Sequence, residues 1–333
     1  MALAVIEVED LRKRFGQVEA LRGISFQVDE GEIFGLLGPN GAGKTTTLKI
    51  LATLVRPTAG RVCLNGFDVV REPAGVRRSI GMVFQDPSLD HELTAEQNLW
   101  FRSRLYGLPR RVAAERIDEV VAMVDLQDRR RDRVSTFSGG MRRRLEIAAA
   151  LVHRPRVLFL DEPTVGLDPQ TRRKIWDFVR DLRRREGVTV LMTTHYMDEA
   201  EHCDRIAVID HGRIVALDTP AALKRRVGGD IITLTSPDPE RLVGAIRERF
   251  GAELGGEVRT GPGDEVVVEH PSGAEFVPRV AGAFPDLIRS VSVRQPTLDD
   301  VFLKLTGHAI RDEQASDIDR MRLAARMWRG RGR

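Results

Sequence analysis

The sequence predicts an α/β fold carrying an inserted helical stretch, with a smaller α+β unit behind it. Three observations carry that prediction. The apolar run Glu32–Leu37 leads into the glycine-rich loop Gly38-Pro39-Asn40-Gly41-Ala42-Gly43-Lys44-Thr45-Thr46, and 47–55 follows with Leu48, Leu51 and Leu54 at helical spacing. Two later apolar runs, 156–160 and 188–194, end abruptly in polar residues, as buried strands do when their C-terminal ends face a ligand. After Gly228-Gly229 the pattern changes to short strands interleaved with two helices.

The loop fits G-x-x-x-x-G-K-[ST] without a mismatch. Gly41 and Gly43 let the backbone curl so that successive N–H groups point at one anion. The helix that follows adds the positive end of its dipole. Lys44 then reaches β- and γ-phosphates, and the Thr45 hydroxyl holds Mg²⁺. The plain alternative is a glycine-rich turn that binds nothing. The strand before it and the helix after it argue against that.

Composition bounds the rest. At 333 residues, 42% hydrophobic and 30% charged, the chain reads as an ordinary globular protein of about two domains. No apolar run reaches the ~18 residues that a membrane span needs. The stretch 1–10 lacks the pattern of a signal peptide. Cys63 and Cys203 make neither a disulfide framework nor a metal cluster, and fit a reducing compartment. A net charge of +3 is too small to argue for a polyanionic partner. Arginine supplies nearly all the positive charge, so Arg142-Arg143-Arg144 and Arg183-Arg184-Arg185 read as solvated helix faces.

Taken in order, 4–9 and 24–28 read as strands of a small antiparallel sheet joined by a charged link. Phe15-Gly16 lies in that link. Its ring is either a turn aromatic or a platform for a base, and spacing alone does not choose. The segment 60–68 is a strand and turn with Asn65-Gly66 as the turn signal, and 79–84 is a strand ending at Gln85 before Asp86-Pro87. From Thr94 to Gln127 the pattern is helical, with Ile117, Val120, Val121 and Val124 on one stripe. Ser138-Gly139-Gly140 precedes a helix over 141–152 that Ser138 can cap. This makes a second anion-binding helix end. One nucleotide per chain does not need two, so the second faces a nucleotide held by another copy.

The run 156–160 ends in Asp161-Glu162. Adjacent carboxylates at a strand end are costly unless used. Beside a phosphate loop, Asp161 suits Mg²⁺ and Glu162 suits orienting the attacking water. An exposed acidic turn is the alternative, but it leaves the apolar run unexplained. His195 ends the next strand, within reach of a γ-phosphate.

In this order the residues resemble the nucleotide-binding cassette of ABC transporters, over about Val5 to Leu223. Gly38–Thr45 resembles the Walker A loop, Gln85 the Q-loop and 137–141 the signature. Leu158–Glu162 resembles Walker B, 164–168 the D-loop and His195 the switch histidine. Phe137 and Met141 depart from the usual Leu and Gln of the signature. The resemblance implies a P-loop NTPase of ABC type, with antiparallel β and helical subdomains, using ATP and Mg²⁺. It implies nucleotide contacts from Phe15, the loop 38–46, Gln85, Ser138, Gly139, Gly140 and Asp168. It places Mg²⁺ at Thr45, Gln85 and Asp161, and catalytic roles on Glu162 and His195.

Residues 137–144 and 296–307 further resemble the ATP-binding subunits of daunorubicin/doxorubicin-type drug exporters. That implies efflux of a hydrophobic or amphipathic compound through a separate ABC-2-type permease. It also implies a second copy of the chain as partner and a peripheral place on the cytoplasmic face of the membrane. The domain expectation is a cassette over 1–228 with its helical part near 88–150, then an accessory β-α-β-β-α-β unit over 229–308, ferredoxin-like in order. A charged tail follows over 309–333, read as frayed, with Arg320, Arg322, Arg326 and Arg329 on anionic lipid as the other reading. Two rivals remain. An importer ATPase is opposed only by 296–307. A soluble ABC ATPase acting on nucleic acid or ribosomes is opposed by the single cassette and the short stretch between Lys44 and Ser138, and no nucleic acid is expected.

Overall fold

The computed structural model describes residues 4–227 and 229–307. The charged tail and Gly228 lie outside the described residues. The described chain divides into two compact units, the first running through Leu217 and the second beginning at Asp218, ahead of the Gly228-Gly229 join.

The first unit opens with β1 (Ala4–Phe15) and β2 (Val18–Asp29), a hairpin turning at Gly16-Gln17. Both strands are longer than the short runs expected from the sequence. The intervening charges lie on the exposed face of paired backbone, and ladder hydrogen bonds do not depend on side-chain polarity. β3 (Ile33–Leu37) is buried throughout and leads to α1 (Lys44–Leu51). β4 (Ala59–Leu64) and β5 (Phe67–Asp68) meet across Asn65-Gly66 as expected, and β2-β1-β4-β5 form the antiparallel sheet.

α2 (Pro73–Ser79) precedes β6 (Ile80–Val83). α3 (Ala95–Leu105) starts at a capping box between Thr94 and Gln97, and α4 (Arg110–Met123) buries Ile117, Val120 and Val121. α5 (Gly139–Leu151) is capped by Ser138, whose Oγ accepts from Met141 N. Arg143 lies inside this helix and is buried, which corrects the expectation of a solvated arginine face. Backbone carbonyls and Glu146 meet its guanidinium there.

β7 (Val157–Asp161), α6 (Pro169–Glu186), β8 (Thr189–Thr194), α7 (Met197–Ala200), β9 (Arg205–Asp210) and β10 (Arg213–Asp218) complete the unit. The six-stranded sheet runs β10-β9-β3-β8-β7-β6. Its pairs β9-β3, β3-β8, β8-β7 and β7-β6 are parallel. Phe34, Leu36, Phe159 and Leu191 pack with Ile6, Leu48 and Leu51 in one core beneath the phosphate loop.

In the second unit α8 (Pro220–Arg225) precedes β11 (Asp230–Thr235), α9 (Pro239–Phe250), β12 (Val258–Thr260), β13 (Glu265–His270), α10 (Gly273–Ala283), β14 (Ser290–Arg294) and α11 (Leu298–Thr306). The sheet order β12-β13-β11-β14, with antiparallel pairing throughout, is the split β-α-β arrangement expected. It has its own core, built on Ile232, Leu234, Leu242, Ile246, Phe276 and Val280.

Candidate active site

Four neighbouring parallel strands lay the site out. In the order β3-β8-β7-β6, their C-terminal ends carry the glycine loop, His195, the Asp161-Glu162 pair and Gln85. Leu37 stands level with Thr194, and Thr193 with Asp161. The parallel sheet thus gathers residues far apart in sequence on one edge.

At the loop, Gly43 has φ 111°, and a Cβ there would lie 2.7 Å from Leu21 Cδ2 and 2.9 Å from Ala20 O. Only glycine fits this backbone. Lys44 is buried, and its Nζ donates to Gly38 O (2.8 Å) and Pro39 O (3.0 Å). It also lies 3.4 Å from Glu162 Oε1. Burial lowers the Lys44 pKa from the usual lysine value, while the Glu162 charge opposes that shift. The two carbonyls and the Glu162 carboxylate together compensate this buried cation.

Thr45 Oγ1 donates to Asp161 Oδ1 (3.1 Å), and Thr193 Oγ1 donates to the same oxygen (2.6 Å). A hydroxyl and a carboxylate so placed are hard oxygen donors, the type Mg²⁺ takes from a protein while leaving positions for phosphate oxygens. Glu162 has φ 45°, the left-handed region, which costs a non-glycine residue about 1–2 kcal/mol. Its N–H is held by Thr193 O (3.2 Å) and Thr193 Oγ1 (3.1 Å). His195 Nδ1 lies 3.3 Å from Glu162 Oε1. Burial pushes the Glu162 pKa up, but the His195 imidazole and the Lys44 ammonium outweigh it and hold the carboxyl below its usual range. Glu162 is therefore an anion at neutral pH.

The structure brings Lys44, Thr45, Asp161, Glu162 and His195 into one cluster. Among the described residues, no hydrogen bond or ion pair joins Phe15, Gln85, Ser138 or Asp168 to it. Phe15 is exposed near the tip of the β1–β2 hairpin, with Lys13 Nζ 4.6 Å over its ring. Gln85 is exposed on the loop after β6. Asp168 caps α6 through Thr171 N (2.9 Å), which with its other hydrogen bonds lowers its pKa. Ser138 is exposed at the N-terminus of α5. Behind it, a Cβ at Gly140 would lie 2.5 Å from Thr171 Cγ2, so this glycine also serves the packing of α5 on α6.

Sequence reasoning missed Glu199. Its buried carboxyl accepts from the Thr194 hydroxyl (2.6 Å) and from the Thr164 hydroxyl, and burial pushes its pKa up to about 7. It ties the residue before His195 to the turn after Glu162. The only signal was an acid one helical turn beyond His195.

Residues 21–165 match the family described as ABC transporter. The chain is 44% identical to the daunorubicin resistance ATP-binding protein DrrA3 of Streptomyces coeruleorubidus, over 95% of this chain and all of that one. It is 40% identical to the linearmycin resistance ATP-binding protein LnrL of Bacillus subtilis, over 92% of this chain and all of that one. Among solved structures, the dimeric MJ0796, a bacterial ABC transporter cassette, superposes with a TM-score of 0.58 at 29% identity, covering 64% of this chain and 98% of that one. A Walker-type loop facing a paired acid and a histidine, on a chain alike to these relatives over nearly its whole length, makes it a member of the ABC transporter family, an ATP-binding subunit and ATPase.

Proposed function

We propose that this chain powers efflux of a hydrophobic or amphipathic compound, a drug or antibiotic, through a separate ABC-2-type permease. The observation that carries this reading is the 44% identity to a daunorubicin resistance subunit, which extends beyond the cassette into the second unit. Among the described residues no helix is long and apolar enough to cross a membrane, so transport requires a partner chain. On this reading the chain sits peripherally on the cytoplasmic face of the membrane.

Lys44 exchanges its loop carbonyls for the β- and γ-phosphates of ATP. Thr45 and Asp161 hold Mg²⁺, which when bound supplies positive charge to offset that of the phosphates. Glu162 accepts a hydrogen bond from the attacking water and directs it in line. His195, beside Glu162, reaches the γ-phosphate. Gln85 couples this edge to the helical part. Phe15 stacks on the base. Ser138, Gly139 and Gly140 of a second copy, with its Asp168, complete the site, a pairing supported by the dimeric cassette relative.

The permease meets a groove of about 500 Å³ in the first unit, lined by Leu54, Phe84, Leu105 and Tyr106 with Arg77 and Arg102. Its mixture of apolar and arginine side chains suits an amphipathic, acidic helix. The test of the reading is to co-express the chain with its permease in drug-sensitive cells and follow accumulation of several hydrophobic compounds. Lower accumulation with the wild-type chain, and not with Glu162→Gln at matched expression, is expected. Unchanged accumulation of all of them, with gained uptake of a nutrient, would replace export with import.

A further inference from the structure

We propose that Arg143 is a positioning residue for hydrolysis, fixing the backbone of Glu162 and the loop of Gln85 to α5. It rests on the reading of Glu162 above. Arg143 is 7% exposed, and each of its guanidinium nitrogens is in use. Nε donates to Pro163 O (2.6 Å). Nη2 donates to Asp161 O (3.2 Å) and Glu162 O (3.4 Å). Nη1 donates to Phe84 O (2.7 Å) and Glu146 Oε2 (2.7 Å).

Glu146, also buried, uses its other oxygen to accept from Ser88 N (3.2 Å). The pair therefore grips the Gln85 loop on both sides, at Phe84 and at Ser88. It also grips three successive carbonyls of the acid pair and the residue after it. A buried ion pair gives little stability by itself over well-packed apolar residues. This one spends its donors on the backbone of residues 84 and 161–163. That backbone includes Glu162 in its left-handed conformation, where a small shift re-aims the carboxylate. Arg143 lies on the same helix whose N-terminus carries Ser138, so movement of α5 reaches Glu162 and Gln85 together. A lysine has the charge but not the planar fork, and cannot meet these five acceptors at once.

The experiment uses the full chain and the variants Arg143→Lys, Glu146→Gln and their double. MgATP affinity, single-turnover phosphate release and thermal midpoint are measured for each. Misplacement of about an ångström costs on the order of 100-fold in rate. Arg143→Lys is expected to lower turnover about 10- to 100-fold, with ATP affinity within about threefold of wild type. Glu146→Gln should shift both quantities the same way. The double variant should lose no more than Arg143→Lys alone, because the two act as one unit. Wild-type turnover in Arg143→Lys would overturn the proposal. So would affinity and turnover falling together in proportion to the folded fraction, since that is what a merely structural staple predicts. Glu162→Gln serves as the control. If it turns over normally, the reading of Glu162 has failed. If it is inactive while Arg143→Lys is normal, that reading stands and the positioning role falls.

Discussion

At the scale of single residues, the site is a set of buried charges kept in balance by close partners. Lys44 has two carbonyls and Glu162 within reach, and the proposed function has ATP phosphates displace them. We predict that Lys44→Ala weakens MgATP binding by at least about tenfold, the cost of losing a charge-assisted contact. Equilibrium binding of a fluorescent ATP analogue measures it, and undiminished affinity would contradict the role. Glu199 gives a pH prediction. Its folded pKa of about 7 lies above the ordinary 4.5, so between those values the folded chain keeps a proton that the unfolded chain has released. Its stabilising contribution is complete below about pH 4 and is lost as pH rises to about 7, a loss on the order of 3 kcal/mol. Urea unfolding at pH 5 and pH 8 should show wild type losing more stability than Glu199→Gln across that interval. Equal losses would mean that Glu199 does not set this pH dependence. Lys44 was legible in the sequence from the glycine loop that it closes, and Asp161 and Glu162 from the apolar run that they end. Arg143 and Glu199 were not, because their partners are backbone carbonyls and hydroxyls that only the tertiary fold assembles.

At the scale of elements, the parallel order β3-β8-β7-β6 turns scattered motifs into one edge, and α5 and α6 stand against each other at Gly140. Gly140→Ala places a methyl 2.5 Å from Thr171 Cγ2. We expect it to cost about 1–3 kcal/mol, as overpacking does. Gly140→Ala with Thr171→Ser, which deletes the offending methyl, should recover most of the loss in thermal unfolding. No recovery would mean that the glycine is needed for another reason. The strands that hold the loop and the acid pair were readable from their unbroken apolar runs. The extent of β1 and β2 was not, since residues 10–23 pair through backbone while carrying charge on an open face. In α6, Ile175, Trp176, Val179 and Leu182 are buried at helical spacing, while Arg184 and Arg185 lie exposed, as the solvated arginine face read from the sequence requires.

At the scale of the whole molecule, each unit has its own core, and every residue of the site lies in the first. The second unit's β-α-β-β-α-β order was legible because its strands are short, alternate well and are separated by clear turn residues. Ser138, exposed at a helix N-terminus and joined by no hydrogen bond to its own chain's phosphate-loop cluster among the described residues, leads to a prediction about pairing. Mixing Lys44→Ala chains with Ser138→Arg chains should give mixed dimers in which one site carries both lesions and the other is intact. Such mixtures should regain up to about half the wild-type activity per mixed dimer. Cross-linked mixed dimers with no activity would argue that each chain works with its own Ser138.

We propose that the cluster of Lys44, Thr45, Asp161, Glu162 and His195 binds ATP and directs water at it through Glu162. The most direct measurement is single-turnover release of phosphate from MgATP by Glu162→Gln, with binding determined on the same preparation. ATP affinity close to wild type is expected, with phosphate release slowed at least about 100-fold, the scale of losing a positioned base. Phosphate release at near wild-type rate from a chain that still binds ATP would contradict it.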